Sequence, residues 1–231
     1  MSQNKRALLI VGSPRCEKSN SEAIGTYLME RLGEKGVVWD KVYTYRLTRT
    51  AEGREKLLNA VYGADILVLA SPLYVDSIPS FTINAMELIN EHRRAIESPK
   101  EQKLFVIVNC GFPEPSHNQT ALAIYRRFAL ESGIEWVGGA RVGWGMAIDG
   151  RSLDSVGGMV KNLMRGLQLA AGALAGDIPV PKEAEELISR PFMPLVLAKL
   201  MTSVAGGVGW NSEARKNGVR NRMHDRPYES D

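Results

Sequence analysis

The residues with the most chemistry to offer lie in one short run, Gly12-Ser13-Pro14-Arg15-Cys16-Glu17-Lys18-Ser19-Asn20-Ser21, after an uncharged apolar stretch at 7–11 and before an amphipathic one. Ser13, Ser19, Asn20 and Ser21 supply short hydrogen-bonding groups, while Arg15 and Lys18 supply positive charge. Where a loop leaves a buried strand and opens a helix, backbone N–H groups and the helix dipole face an anion. The run therefore reads as an anion cradle, although the Walker pattern GxxxxGK[ST] occurs nowhere in the chain. A plainer reading stands beside it: Ser19 or Asn20 only caps the helix, and Gly-Ser-Pro is a turn.

Two further runs close apolar stretches in the same way. One is Ser71-Pro72-Leu73-Tyr74-Val75-Asp76-Ser77-Ile78-Pro79, and the other is Asn109-Cys110-Gly111-Phe112-Pro113-Glu114. Tyr74 suits either a ligand wall or a surface anchor for its own loop. Pro79 suits a helix start. Gly111 permits close backbone approach, and His117, in SHNQT, reads as a helix-start residue more readily than as an acid. The run GWGMAIDG at 143–150 lacks GxGxxG spacing and reads as a loop after the last strand that comes near the ligand region. Cys16, beside Arg15, is either a thiol of lowered pKa able to sense redox state or a plain loop residue. Cys110 ends an apolar strand and reads as a small buried hydrophobe.

The elements that must position these loops are legible from hydrophobic patterning. Uncharged apolar runs at 7–11, 66–70 and 104–108 suit parallel strands covered on both faces, and less purely apolar strands are expected at 39–45 and 136–142. Between them, amphipathic stretches at 21–34, 52–62, 81–96 and 120–132 have helical length and period, and a further helix is expected at 155–175. This alternation gives an α/β domain, a doubly wound five-stranded parallel sheet spanning 1–177. Residues 178–231 read as a helical extension with a polar tail: prolines at 179, 181, 191 and 194 precede two helix-like segments, and glycines at 206, 207 and 209 are expected to end the second.

The chain has 231 residues, 44% hydrophobic and 24% charged, and its 29 basic and 26 acidic residues are dispersed, giving +3 and a pI near 8.8. That balance asks for no nucleic acid partner. Two cysteines make no disulfide framework or zinc site, so a reducing, cytoplasmic location is expected, and no histidine spacing suggests a metal. The N-terminal apolar run is too short for a secretory leader. The apolar stretch 191–204, broken by Lys199, falls short of a bilayer span, so no integral membrane segment is expected. The basic residues Arg215, Lys216, Arg220, Arg222 and Arg226 are diluted by acids, which favours packing on a subunit or over a pocket rather than on lipid.

Together the three loops resemble those of the flavodoxin-like NAD(P)H-dependent FMN reductase family. The Gly-Ser-Pro-Arg start and Ser-Asn-Ser end, the Pro-Leu-Tyr run with its following proline, and the Cys-Gly-Phe-Pro-Glu run carry the likeness, which covers about residues 5 to 175. The resemblance implies strand order 2-1-3-4-5 and an FMN cofactor. Its phosphate would be held by Ser13, Arg15, Ser19, Asn20 and Ser21. Its ring and ribityl chain would be lined by Pro72, Leu73, Tyr74, Val75, Asp76 and Ser77, with Asn109, Cys110, Gly111 and Phe112 beside the ring and Glu114 and His117 near the rim. It further implies NADH or NADPH as co-substrate, a small acceptor such as free flavin or a quinone, chemistry done by the flavin rather than a catalytic side chain, and a homodimer or homotetramer. Two other classes share the fold: a flavodoxin-like electron carrier without NAD(P)H turnover, typically strongly acidic as this chain is not, and a flavin-free binding domain.

Overall fold

A computed structural model of the chain describes residues 5–222, 224 and 225. Arg226, Glu229 and Asp231 of the tail, and the first four residues, lie outside the described residues. Five strands, β1 (Arg6–Val11), β2 (Val38–Tyr43), β3 (Ile66–Pro72), β4 (Lys103–Asn109) and β5 (Glu135–Val142), form one all-parallel sheet in the order β2-β1-β3-β4-β5. The central strands β3 and β4 are buried along almost their whole length, which explains their unbroken apolar sequences: both faces are covered. The edge strand β2, VWDKVY, is largely exposed and keeps its charges.

The helices are α1 (Asn20–Gly33), α2 (Thr44–Leu47), α3 (Ala51–Gly63), α4 (Ser80–Arg94), α5 (Gln119–Glu131), α6 (Leu153–Val156), α7 (Lys161–Ala175), α8 (Lys182–Ile188) and α9 (Leu195–Lys216). One core, with Leu9, Ile24, Leu28, Phe105, Leu167 and Leu174, packs α1 and α7 on one face of the sheet. The other, with Leu8, Leu57, Leu69, Ile89, Val106 and Tyr125, packs α3, α4 and α5 on the opposite face. Side-chain caps set two of these helices: the Ser19 hydroxyl accepts from Glu22 N–H at 3.1 Å, and Thr50 accepts from Gly53 N–H at 3.0 Å.

Three expectations from the sequence are corrected. Strand β2 stops at Tyr43 because Thr44 starts α2, where its hydroxyl turns back to the Val11 carbonyl. The helix expected at 155–175 is split into α6, a 3-10 turn at Gly157–Val160 and α7, because Gly157 takes φ +76°, which breaks helical continuity. The glycines at 206, 207 and 209 do not end α9; each costs a helix about 1 kcal/mol, but none takes the left-handed turn that stops one, and Gly218 at φ +68° does.

The chain divides into two compact units, Met1–Phe192 and Met193–Asp231. The first takes in residues beyond 177 because they cover the free edge of β5. Val180 N–H bonds the Val137 carbonyl at 2.9 Å, and the N–H groups of Gly139 and Arg141 are taken by Glu185 Oε1 at 2.7 Å and Ser189 Oγ at 3.1 Å. An otherwise open ladder edge is thereby closed. The second unit holds α9, whose Val196, Leu200 and Trp210 are exposed and recur at helical spacing on one stripe. Among the described residues no helix is long and apolar enough to cross a membrane.

Candidate functional site

Parallel strands deliver all their following loops to one rim, and four of them meet there in an open cleft of about 160 Å³. Its walls are Ser13, Arg15, Ser19, Asn20 and Ser21 from the β1–α1 loop, Pro72, Leu73 and Tyr74 after β3, Asn109, Cys110 and Gly111 after β4, and Met146 after β5. The residues assigned to the cofactor by sequence are thus brought together, apart from four, while Lys18 of the β1–α1 loop stays off the wall. Val75 and Asp76 form a two-residue turn, closed by Tyr74 N–H to Ser77 O at 2.9 Å and Ser77 N–H to Tyr74 O at 3.0 Å. The turn lifts Val75, Asp76 and Ser77 off the wall and leaves Val75 97% exposed. Phe112 turns outward against His117, ring centroids 4.7 Å apart.

The anionic end is built by the β1–α1 loop. Gly12 N–H bonds the Ala70 carbonyl at 2.8 Å, fixing the loop's origin on β3. Ser13 is buried, and its hydroxyl accepts from Arg15 N–H at 3.3 Å. The Arg15 side chain is exposed; its neighbour Glu17 is held by both arms of Arg46 at 2.7 Å, and among the described residues Arg15 has no ion pair. The first N–H groups of α1, on Asn20 and Ser21, have no carbonyl of their own helix to bond. Ser19 has no such freedom: its hydroxyl donates to Cys16 O at 2.7 Å and caps Glu22, so it lines the cleft as a helix cap. Ser21 accepts from Asn109 Nδ2 at 2.7 Å, which leaves its own proton free to donate.

Asn109 is the hinge pin of the rim. Its side-chain amide also donates to Ser71 O at 3.0 Å, and its carbonyl takes Leu73 N–H at 2.8 Å, so one buried residue ties α1, β3 and β4 together. Asn20 does the same for the last loop, accepting from Gly150 N–H at 2.7 Å. The other end of the cleft is more apolar: Pro72, Leu73, Tyr74, Cys110 and Met146, with Gly111 presenting bare backbone where an added Cβ would meet open space. Met146 was missed by sequence reasoning; the signal was the glycine-rich run 143–150, which crosses close enough that a Cβ on Gly145 would stand 2.8 Å from the Asn20 amide.

Neither thiol is activated. Burial pushes Cys16 upward and outweighs the nearby Arg46, so of its two readings the plain loop residue agrees with the structure and the lowered thiol does not. Cys110 is also raised by burial, and its sulfur receives Asn118 Nδ2 at 3.5 Å. His117 and Glu114 stand 3.9 Å apart on the rim, outside the cleft wall.

A larger groove, about 580 Å³, lies between α5 and the start of β5, lined by Ala123, Arg126, Arg127, Leu130, Ile134 and Trp136. It is at the amino end of its strand, where a parallel sheet presents no loop amides or helix N-termini, and Arg127 is already paired with Glu131. Size alone therefore does not make it the ligand site.

Residues 6–123 match the model of a family described as NADPH-dependent FMN reductase. No curated protein matches the chain. Among solved structures it is similar to an FMN-dependent NADH-azoreductase from Bacillus anthracis str. Ames Ancestor in complex with FMN, at 16% identity and TM-score 0.53 over 74% of this chain and 99% of that one. It is similar to an NAD(P)H:quinone oxidoreductase from Methanothermobacter marburgensis at 16% identity and TM-score 0.55, over 74% and 96% of the two chains. An NADH:FMN oxidoreductase in its apo form gives 14% identity and TM-score 0.57 over 79% and 94%. At such identities the likeness is one of fold.

Proposed function

The chain belongs to the NADPH-dependent FMN reductase family, FMN-using oxidoreductases that draw electrons from NAD(P)H, and on that premise we propose that the cleft at the carboxyl rim holds FMN and serves a small planar acceptor such as a quinone or free flavin. The observation that carries this reading is the convergence of an uncommitted cation, a helix N-terminus and an apolar wall in one cleft. Arg15, Ser13, the Ser21 hydroxyl and the first N–H groups of α1 fit a phosphate, since each has donor capacity left over and together they supply charge and dipole of the right sign.

Pro72, Leu73, Tyr74, Cys110, Gly111 and Met146 fit a flat ring on which one face stays open, because the cleft is open and Met146 and, in part, Tyr74 remain exposed. Bound there, FMN supplies the redox chemistry, taking hydride from NADH or NADPH and delivering electrons to the acceptor. The chain's own part is to grip one end, flatten the ring against loop backbone, and leave room for donor and acceptor in turn. Val75, Asp76, Ser77 and Phe112 stand at the lip, where they border whatever docks on the open face. Two free, buried cysteines support a reducing, cytoplasmic setting, and the exposed stripe on α9 supports a homodimer or homotetramer.

The test is spectroscopic. Purified protein supplied with FMN should acquire the yellow flavin band and lose it on anaerobic addition of NADH or NADPH, with recovery when a quinone is added. A protein that takes up no flavin, or whose flavin neither nucleotide reduces, contradicts the proposal.

A further inference from the structure

We propose that two buried threonines, Thr82 and Thr44, position the anion-binding loop by holding the last carbonyl of β1 and the first of the loop. This rests on reading the cleft as the FMN site and assigns the residues that keep its phosphate end in shape, none of which touches the cleft. Thr82 stands in the first turn of α4 and Thr44 at the start of α2, so the hydroxyls come from two different helices. Thr82 Oγ1 donates to Gly12 O at 3.3 Å, Thr44 Oγ1 donates to Val11 O at 3.3 Å, and the two oxygens stand 3.3 Å apart. Both residues are fully buried.

The proton count explains the arrangement. Two hydroxyls carry two protons, and three contacts compete for them. Donating to both carbonyls uses both protons; any bond between the hydroxyls takes the hydroxyl donor away from Val11 O or Gly12 O in a dry interior. The pair therefore fixes the carbonyls of Val11 and Gly12 in direction, and with them the peptide plane that leads into Ser13 on the cleft wall. Gly12 is the residue that lets the hydroxyls in, because a Cβ there would stand 2.9 Å from both Thr82 Oγ1 and Ser71 Oγ. Packing alone would be met by valine, which has threonine's shape and no proton to place.

The ring end of the cleft is held by other bonds, from Leu73 N–H to Asn109 O and from Asn109 to Ser71 and Ser21. Loss of the Thr82 hydroxyl should therefore loosen phosphate recognition and spare the ring. The experiment is equilibrium binding of FMN and of riboflavin, which lacks the phosphate, to flavin-stripped full-length protein, followed by flavin fluorescence. Thr82→Val should raise the Kd for FMN about tenfold, the equivalent of one hydrogen bond, and leave the Kd for riboflavin unchanged. Thr82→Ser, which keeps the hydroxyl, should bind FMN as the wild type does, and Thr44→Val should shift FMN in the same direction.

If both flavins weaken equally, or neither does, the positioning role is overturned. Should Thr82→Val fail to fold, Thr44→Val decides by the same comparison. Wild-type protein that binds FMN no tighter than riboflavin overturns the reading of the cleft itself. Wild-type preference for FMN retained by both valine variants overturns only the threonine assignment.

Discussion

Two arginines at opposite ends of the sheet show where the molecule spends its polar capacity and where it holds it back. At the amino end, Arg93 is buried, and its guanidinium donates to Ser132 O at 2.6 Å, Lys100 O at 3.2 Å, Gly133 O at 3.1 Å and the Gln102 side chain. Gln102 in turn donates to Val61 O and Ala64 O, so the ends of α3, α4 and α5 are joined through side chains that use four of the five Arg93 N–H groups. At the carboxyl end, Arg15 is exposed and unpaired among the described residues, beside a helix N-terminus with unused N–H groups. Equal chemistry in the two places does different work: a guanidinium committed to four partners inside the protein is a structural tie, and an uncommitted one beside a cleft is capacity for a ligand.

The largest break in this comparison should come from the tie. Arg93→Met leaves three carbonyls and an amide oxygen without their donor, and should lower unfolding free energy by about 3 kcal/mol in a denaturant titration while leaving FMN affinity nearly unchanged in whatever fraction is folded. Next comes the free cation. Arg15→Ala should weaken FMN binding roughly tenfold or more, with riboflavin binding and stability (within about 0.5 kcal/mol) little altered, as read by fluorescence titration and melting. A variant that lost stability but kept its FMN affinity would reverse the roles drawn here.

A smaller effect sharpens the picture at the lip. Val75 and Asp76 both take left-handed backbone, φ +48° and +56°, and a β-branched residue is poorly suited to it. Val75→Asn should raise stability by about 1 kcal/mol, since asparagine tolerates that conformation; a melt showing destabilisation would mean the exposed valine is held by contacts the fold does not show. The slightest effect concerns the thiols. Because burial raises both Cys16 and Cys110, less thiolate exists near pH 8 than in a free cysteine, and both should alkylate slowly in native protein, with the rate rising on further increase in pH or on denaturation. Rapid labelling of native Cys16 at neutral pH would contradict its burial.

Much of this was legible from residues. The buried strands β1, β3 and β4 announce themselves because parallel strands covered on both faces tolerate no charge, and the first, second and third loops are marked by their Gly-Ser-Pro, Pro-Leu-Tyr and Cys-Gly-Phe-Pro runs. What stayed hidden is decided by tertiary partners. Whether Ser19 donates to a ligand or caps a helix depends on the position of Cys16 O. Whether Val75 points into the cleft or out of it depends on a turn closed by two backbone bonds. Met146 enters the wall because the 143–150 loop is tied down at both ends, by Gly145 N–H to Cys110 O and by Gly150 N–H to Asn20 Oδ1, and the threonine pair joins residues from three separate elements. Helix ends followed the same logic: glycine lowers helix propensity but stops a helix only where the backbone takes the left-handed turn, at Gly218 rather than at 206, 207 or 209.

The most direct test of the central claim is a crystal structure of the full chain grown with FMN. The account predicts the phosphate within hydrogen-bond distance of the Ser21 hydroxyl and the first N–H groups of α1, with the ring against Pro72, Leu73 and Gly111. Flavin seated instead in the groove between α5 and β5, or lying at the rim with its phosphate directed away from Arg15, would contradict it.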